Sequence, residues 1–312
     1  AIRRRFRFIH LDPTSEPCSQ ILPKWLKTNN LPAVAGLLLE NLNESLAKYS
    51  WFRVGGPADV FFAPDDEADL IACLQQVPHD VWGYDLASAP ILFNYKKDGK
   101  TIPAIGQASK LGWFFVNDRT TGKLLLKSEP FVPQKNLFAR ATFEGVTLYP
   151  GILGGSNWSP AAIDELAQQV FVAAIHAPIR YTLHETPAKE GKEAIRYASS
   201  EPADEPRWGL LSAIDLATGK INWQNKTEQP LVGGVLVTAG GLVFTGEGNG
   251  HFNAYDEKTG QLLWQAINEY GINAPPITYQ IDGEQYIAVA AGGSSIFGYK
   301  QGDNLLVYKL RK

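Results

Sequence analysis

The side chains that most often carry chemistry are few in this chain and poorly spaced for it. Cys18 and Cys73 form no Cys-x-x-Cys pair and sit in no ligand cluster, which excludes a structural zinc site and leaves one disulfide open. His176 and His184 are unaccompanied and too far apart for a metal centre, so both read as structural. Gly246-Glu247-Gly248-Asn249-Gly250 has the glycine spacing of a phosphate-cradling loop. It lies between strand-like segments with no helix to follow, so it reads as a hairpin turn. Arg3-Arg4-Arg5-Phe6-Arg7 is the most basic tract, in a chain with 29 Lys+Arg against 32 Asp+Glu and a net charge of −3. Nucleic acid is not an expected partner.

The elements that must position any site are mostly strands. The 312 residues include 29 Gly, 20 Pro and 8 Trp, a turn-rich, aromatic composition that leans to an all-β protein. The character of the chain changes near residue 78. Residues 1–30 read as an N-terminal extension. Residues 31–78 read as α+β: an apolar helical stretch from Leu31, a strand–turn–strand around Gly55-Gly56-Pro57, and a helix opening on Asp65-Asp66-Glu67. Residues 79–312 read as short strands broken by Gly, Asp-Gly and Thr-Gly turns, with Ala188 to Arg207 as a charged loop between them. The longest apolar stretch, Leu231 to Thr245, is interrupted by four glycines and falls short of the ~18 residues a membrane span needs. No signal-peptide core follows the basic opening, so the chain is expected to be mature or never exported.

An internal repeat organises the second part. Asp215-Leu216-Ala217-Thr218-Gly219-Lys220-Ile221-Asn222-Trp223 recurs as Asp256-Glu257-Lys258-Thr259-Gly260-Gln261-Leu262-Leu263-Trp264. A third copy at Asp118 has Leu126 where Trp would stand, and Asp164 heads a worn fourth. The aspartates are 46, 51 and 41 residues apart, a propeller-blade period. In each copy the Asp is expected to accept backbone N–H groups across a turn, the Gly to take positive φ, and a following strand to end on a Trp wedged between sheets. The expected fold is all-β, a partial β-propeller behind a short α+β segment.

Two resemblances follow. Trp51-Phe52-Arg53-Val54-Gly55-Gly56-Pro57-Ala58-Asp59 with the acidic helix after it resembles the opening of the UDP-N-acetylenolpyruvoylglucosamine reductases (MurB) over residues 31–78. The Gly-Ser-Asn segment that cradles FAD in that family does not follow. From His79 to the C-terminus the chain is similar to the pyrroloquinoline-quinone (PQQ) dehydrogenases, eight-bladed quinoproteins that oxidise alcohols, sugars or polyols. The motifs are His79-Asp80-Val81-Trp82-Gly83-Tyr84-Asp85, Ala108-Ser109-Lys110, Gly154-Gly155-Ser156-Asn157-Trp158, Val237-Thr238-Ala239-Gly240-Gly241 and Gln285-Tyr286-Ile287-Ala288-Val289-Ala290-Ala291-Gly292-Gly293. The likeness covers the last half of such an enzyme, four to five blades, and the two parts look fused at Val77-Pro78-His79.

The second resemblance implies a site. Lys110 matches the cation beside the quinone oxygens, and Asn157 and Trp158 match a segment that holds the cofactor. The family's catalytic base falls at Gly83, which has no side chain to take a proton. Asp85 matches a second carboxylate, a ligand for Ca²⁺ or a lanthanide and the remaining candidate base. With His79 to Asp85 read as a strand, residues 83 and 85 share a face ~6–7 Å apart. Three functions stand at this point: a PQQ-dependent dehydrogenase impaired at Gly83, a non-catalytic propeller piece that binds or assembles, and an FAD-dependent UDP-sugar reductase. The first implies an alcohol or sugar substrate, a quinone or cytochrome electron acceptor, and self-association of open propeller faces. The compartment is periplasmic if the propeller part governs, cytoplasmic if the N-terminal part does.

Overall fold

A computed structural model of the chain describes residues 80, 82–188 and 194–309. These lie in the second of two units, Val77–Lys312. The expected N-terminal extension, the 31–78 segment, Cys18 and Cys73 lie outside the described residues.

Among the described residues every regular element is a strand. The first sheet is β1 (Ile91–Lys97), β2 (Lys100–Ala108), β3 (Phe114–Asp118) and β4 (Leu124–Lys127), paired antiparallel in chain order. Next come β5 (Val146–Leu148), β6 (Ala162–Asp164), β7 (Gln169–His176), β8 (Ile179–Thr186), β9 (Ile195–Pro202), β10 (Trp208–Asp215) and β11 (Ile221–Thr227). Of these, β6, β7, β10 and β11 form the second four-stranded sheet, and β5, β8 and β9 a separate three-stranded one. The third four-stranded sheet is β12 (Val235–Thr238), β13 (Leu242–Gly246), β14 (His251–Asp256) and β15 (Leu262–Ile267). The last has three strands, β16 (Ile277–Ile281), β17 (Glu284–Ala291) and β18 (Asn304–Lys309). This is the expected partial propeller.

Apolar side chains fill the spaces between successive sheets. Phe93, Tyr95, Phe114 and Val116 of the first sheet cluster with Val170, Val172, Leu210 and Ile214 of the second. Phe171, Leu211 and Ala213 meet Val235, Val243 and Tyr255, and Phe244 and Phe252 meet Ile287 and Val289. Alternation along each strand makes this possible, because odd and even residues face opposite neighbours. The outward face of the last sheet leaves Ile277, Ile281, Leu305 and Val307 exposed.

The repeat turns behave as expected at three of the four copies. Thr218 N–H donates to Asp215 Oδ1 at 2.7 Å and Gly219 N–H to the Asp215 carbonyl at 2.7 Å, with Gly219 at φ 76°. Asp256 with Gly260 and Asp118 with Gly122 repeat this, each closing the turn from the third to the fourth strand of a sheet. Trp223 wedges as expected: its indole N–H donates to the Glu257 carbonyl at 2.8 Å, and a Cβ built on Gly260 would lie 2.6 Å from its ring. Leu126 takes the same place against Gly219. The Trp is the third residue of its strand, however, and β11 and β15 run on beyond it.

Three expectations are corrected. Asp164 does accept the Leu166 and Ala167 N–H groups, but it closes the turn from β6 to β7, the first to the second strand. It is a different turn, and the true step from Asp118 to Asp215 is 97 residues, lengthened by an inserted hairpin. That hairpin is the second correction: Ile195 to Pro202, within Ala188 to Arg207, is not a loop, because β9 pairs with β8 from Ile179↔Pro202 to Thr186↔Ile195. Every residue of β9 is exposed, so no apolar alternation marked it as a strand. Third, the described residues between Asp80 and Asp85 form no strand. The Asp80 carboxylate instead accepts the N–H groups of Trp82, Gly83 and Tyr84, curling the chain into a turn that puts Gly83 at φ 76°.

Candidate functional site

Lys110 sits in the tight turn from β2 to β3. Ser109 N–H donates to the Trp113 carbonyl at 3.0 Å, Gly112 N–H returns to the Ser109 carbonyl, and Gly112 takes φ 92°. The Lys110 side chain is 11 % exposed, and its ammonium donates to Asp85 Oδ2 at 2.7 Å and to the Gly83 carbonyl at 3.2 Å. Two of its three N–H groups are therefore engaged, and the third is available. The Asp85 side chain is 65 % exposed, so the pair lies at a wet surface on one side and against protein on the other.

Residues far apart in sequence hold that pair. Gln107 donates to the carbonyls of Leu86 and Ser88. The Trp82 indole N–H donates to the Ala139 carbonyl at 2.9 Å and its ring lies 4.0 Å from that of Tyr181. Tyr84 Oη donates to the Leu137 carbonyl, and burial pushes its phenol well above the ordinary range. The segment carrying Gly83 and Asp85 is thus fastened on both sides before it meets Lys110.

The Asn157 segment is laid against the same turn. Ser156 N–H donates to the Ser109 carbonyl at 3.0 Å, and Gly155 exchanges backbone hydrogen bonds with Ile175 of β7. A Cβ on Gly155 would lie 2.1 Å from the Lys110 carbonyl oxygen, so only glycine allows this approach, and its φ of 62° suits glycine too. Asn157 is buried and its Oδ1 has no hydrogen-bond partner, while Trp158 next to it is 73 % exposed. A buried amide oxygen without a donor is costly, and a ligand donor is one way to satisfy it.

The structure therefore brings Lys110, Asp85, Gly83 and the Asn157 segment together. It places Trp158 beside them and facing solvent. Sequence reasoning passed over Asp80, Gln107 and the carbonyl of Gly83, which set the geometry. An Asp three residues before a Gly is a turn signal that pointed to the first. The two histidines lie in neighbouring elements, His176 at the end of β7, with a buried Nδ1 that has no hydrogen-bond partner, and His184 in β8. His176 is buried and stacks on Trp208 at 4.3 Å, and His184 Nε2 pairs with Ser199 Oγ at 2.7 Å. Gly246 to Gly250 joins β13 to β14, the expected hairpin turn.

The residues fit PQQ and fit a metal poorly. An available N–H on a held ammonium suits the carbonyl and carboxylate oxygens of a heteroaromatic quinone, and an unpaired buried amide oxygen suits its ring N–H. Asp85 offers one carboxylate, already paired with Lys110, and among the described residues no three His, Cys, Asp or Glu side chains come together. Ca²⁺ takes about six to eight oxygens, so these residues by themselves do not make its site.

Comparison with known proteins agrees with the fold and the motifs. The family model described as the glucose/ethanol/alcohol dehydrogenase β-propeller domain matches residues 73–142 and 127–287. The quinoprotein ethanol dehydrogenase of Pseudomonas putida is 37 % identical over 243 residues, 70 % of this chain and 39 % of its own length. The quinoprotein glucose dehydrogenase of Gluconobacter oxydans is 28 % identical, covering 78 % of this chain and 44 % of its own. Among solved structures, the quinohemoprotein alcohol dehydrogenase of Comamonas testosteroni superposes with a TM-score of 0.65 at 30 % identity, covering 76 % of this chain and 40 % of that one. The chain spans about two-fifths of the length of these relatives. With a family model covering more than half of the residues and a site that fits the quinone, this chain belongs to the PQQ-dependent dehydrogenase β-propeller family.

Proposed function

We propose that this chain supplies the Lys110 side of a PQQ site in a dehydrogenase that oxidises an alcohol, sugar or polyol and passes electrons to a quinone or cytochrome. The observation that carries the reading is the unpaired Asn157 Oδ1 on a segment whose Gly155 touches the Lys110 backbone. PQQ, when bound, supplies the two-electron acceptor for the oxidation. Lys110 directs its free N–H at a cofactor oxygen, and its charge stabilises negative charge that builds there. Asp85 keeps the ammonium in place. Asn157 orients the cofactor through its amide, and exposed Trp158 offers a flat face beside it. No side chain at Gly83 takes the alcohol proton, and the Asp85 carboxylate is occupied by Lys110, so turnover is expected to be slow.

Titration of the purified chain with PQQ, followed by quinone absorbance and tryptophan quenching, tests this. Saturable binding that weakens in Lys110→Ala supports it; absence of binding, or a flavin spectrum, overturns it. A second reading, a non-catalytic binding or assembly module, is favoured by Gly83 and by the apolar outward face of the last sheet. Dimers by light scattering that dissociate in Leu305→Lys would support that reading.

A further inference from the structure

Asn273 lies between β15 and β16, and its side-chain Oδ1 and Nδ2 are both buried without a hydrogen-bond partner. Its backbone is fastened on either side. Gly271 N–H donates to the Lys300 carbonyl at 3.0 Å, and Ile272 N–H to the Glu247 carbonyl at 2.9 Å. Ile272 is fully buried, and a Cβ on Gly246 would lie 2.2 Å from its side chain, so the segment has no room to swing its amide out to water. Glu247 belongs to the turn from second to third strand, β13 to β14, and Lys300 to the connection from β17 to β18. Lys110 lies in the corresponding turn of the first sheet, so Asn273 is at the end of the blades that carries Lys110.

A chain of contacts links Asn273 to the Asn157 segment. Ser159 Oγ donates to the Val232 carbonyl at 2.8 Å, and Val235 N–H to the Pro160 carbonyl at 3.0 Å. Gly233 then stands so close that a Cβ on it would lie 3.4 Å from Asn273 Cα, and one on Gly234 would lie within 2.8 Å of both Pro160 and Pro275. These three segments lead into β6, β12 and β16, the first strand of each sheet. Asn157 and Asn273 thus occupy corresponding places two sheets apart, each three residues before a proline, Pro160 and Pro276. Each keeps a buried amide atom unpaired.

We infer that Asn273 is a further polar contact for the quinone cofactor: its Nδ2–H donates to a cofactor carbonyl or carboxylate oxygen and its Oδ1 accepts from a ring N–H. This rests on PQQ binding at Lys110 and Asn157. A purely structural amide at this place would be expected to have found protein partners, as Asn253 does with Glu247, Tyr255 and Gln265.

The test measures PQQ affinity and, separately, thermal stability without PQQ in the full chain. Asn273→Leu is expected to weaken PQQ binding about tenfold while the melting temperature of the unliganded chain holds or rises, because an unpaired buried amide has been exchanged for an apolar group of similar size. Asn273→Asp keeps the shape and brings a negative charge to a tricarboxylate, so it should weaken binding more than Leu does. If Asn273→Leu fails to fold, Asn273→Asp decides by itself. PQQ binding that is lost in Lys110→Ala but unchanged in the folded Asn273 variants overturns this inference and leaves the cofactor reading standing. An unmodified chain that binds no PQQ overturns both.

Discussion

At one end of the blades, Asp118, Asp215 and Asp256 close turns between strands that are adjacent in sequence, and each carboxylate is taken up by a Thr within three residues. At the other end, Lys110 meets Asp85 from 25 residues away, and the Asn157 segment arrives from 47 positions downstream. At the first end the three aspartates are satisfied within their own turns, and Glu257 Oε2 beside Asp256 is the buried oxygen left without a partner there. The second is assembled across long stretches of chain, and at Asn157 and Asn273 it leaves buried polar atoms unpaired. Groups left over after the fold is satisfied are those available to a ligand.

The largest effect is expected at Gly83. Asp tolerates the left-handed backbone there better than most residues, and a Cβ would meet Asp85 Oδ1 only at 3.8 Å. Gly83→Asp should raise alcohol or sugar oxidation by the PQQ-loaded chain about 10²–10⁴-fold, the usual range for general-base assistance, once PQQ binding by the variant has been shown. Equal rates in the two forms would remove the base from this position and turn attention to Asp85.

Next comes Gly155→Ala, which forces a methyl into the Lys110 carbonyl. It should cost about 3 kcal/mol in urea unfolding and abolish PQQ binding, because the Lys110 turn must move. At the opposite end, Trp223→Ala should cost a similar amount, about 3 kcal/mol, yet leave PQQ affinity unchanged. A loss of affinity there would show that the two ends are not separable. Trp264→Ala, at a side chain already 41 % exposed, should cost less.

The smallest effects are pH-dependent and opposite in sign. The Thr120 and Thr259 side-chain hydrogen bonds hold the Asp118 and Asp256 carboxyls below their usual value. Their contribution is present above the ordinary Asp value and is lost as pH falls through the folded one. Burial raises Glu247 against the opposing Asn253 hydrogen bond, so the folded state holds that proton more tightly than the unfolded one. Stability from this group falls as pH rises from the ordinary Glu value through the raised one. Glu247→Gln should therefore raise the melting temperature at neutral pH and change little near about pH 4. A gain of equal size at both pH values would mean that charge is not the cause.

The Asp-Thr-Gly turns were legible because nine consecutive residues contain nearly all of their hydrogen bonds, and the Trp wedge because the same Trp recurs in two copies, although its own bond goes to Glu257 in the next one. Asp164 shows the limit of that signal. Its local bonds imitate the repeat, but its place in the sheet, first turn rather than third, is a matter of strand order. The hairpin of β8 and β9 was hidden because a strand exposed throughout carries no apolar alternation. Motif resemblance pointed to Lys110, Asp85 and Asn157, of which Lys110 and Asp85 form an ion pair and the Asn157 segment lies on the Lys110 turn. It misread the segment from Asp80 to Asp85 as a strand, because the turn there depends on one carboxylate gathering three N–H groups.

What the amino-acid order determined by itself is the blade: strand alternation and Asp-Gly and Thr-Gly turns, all short-range, with a Trp or Leu whose seat, Gly260 or Gly219, belongs to the next sheet. Tertiary structure alone decided which polar groups remain unsatisfied. That Asp85 pairs with Lys110, that Gly155 closes on the Lys110 carbonyl, and that Asn157 Oδ1 and both amide atoms of Asn273 are buried without partners depend on loops from different sheets packing side by side. The physical reason is that hydrogen-bond satisfaction in a buried space is a property of everything that encloses it, and no single segment carries that information.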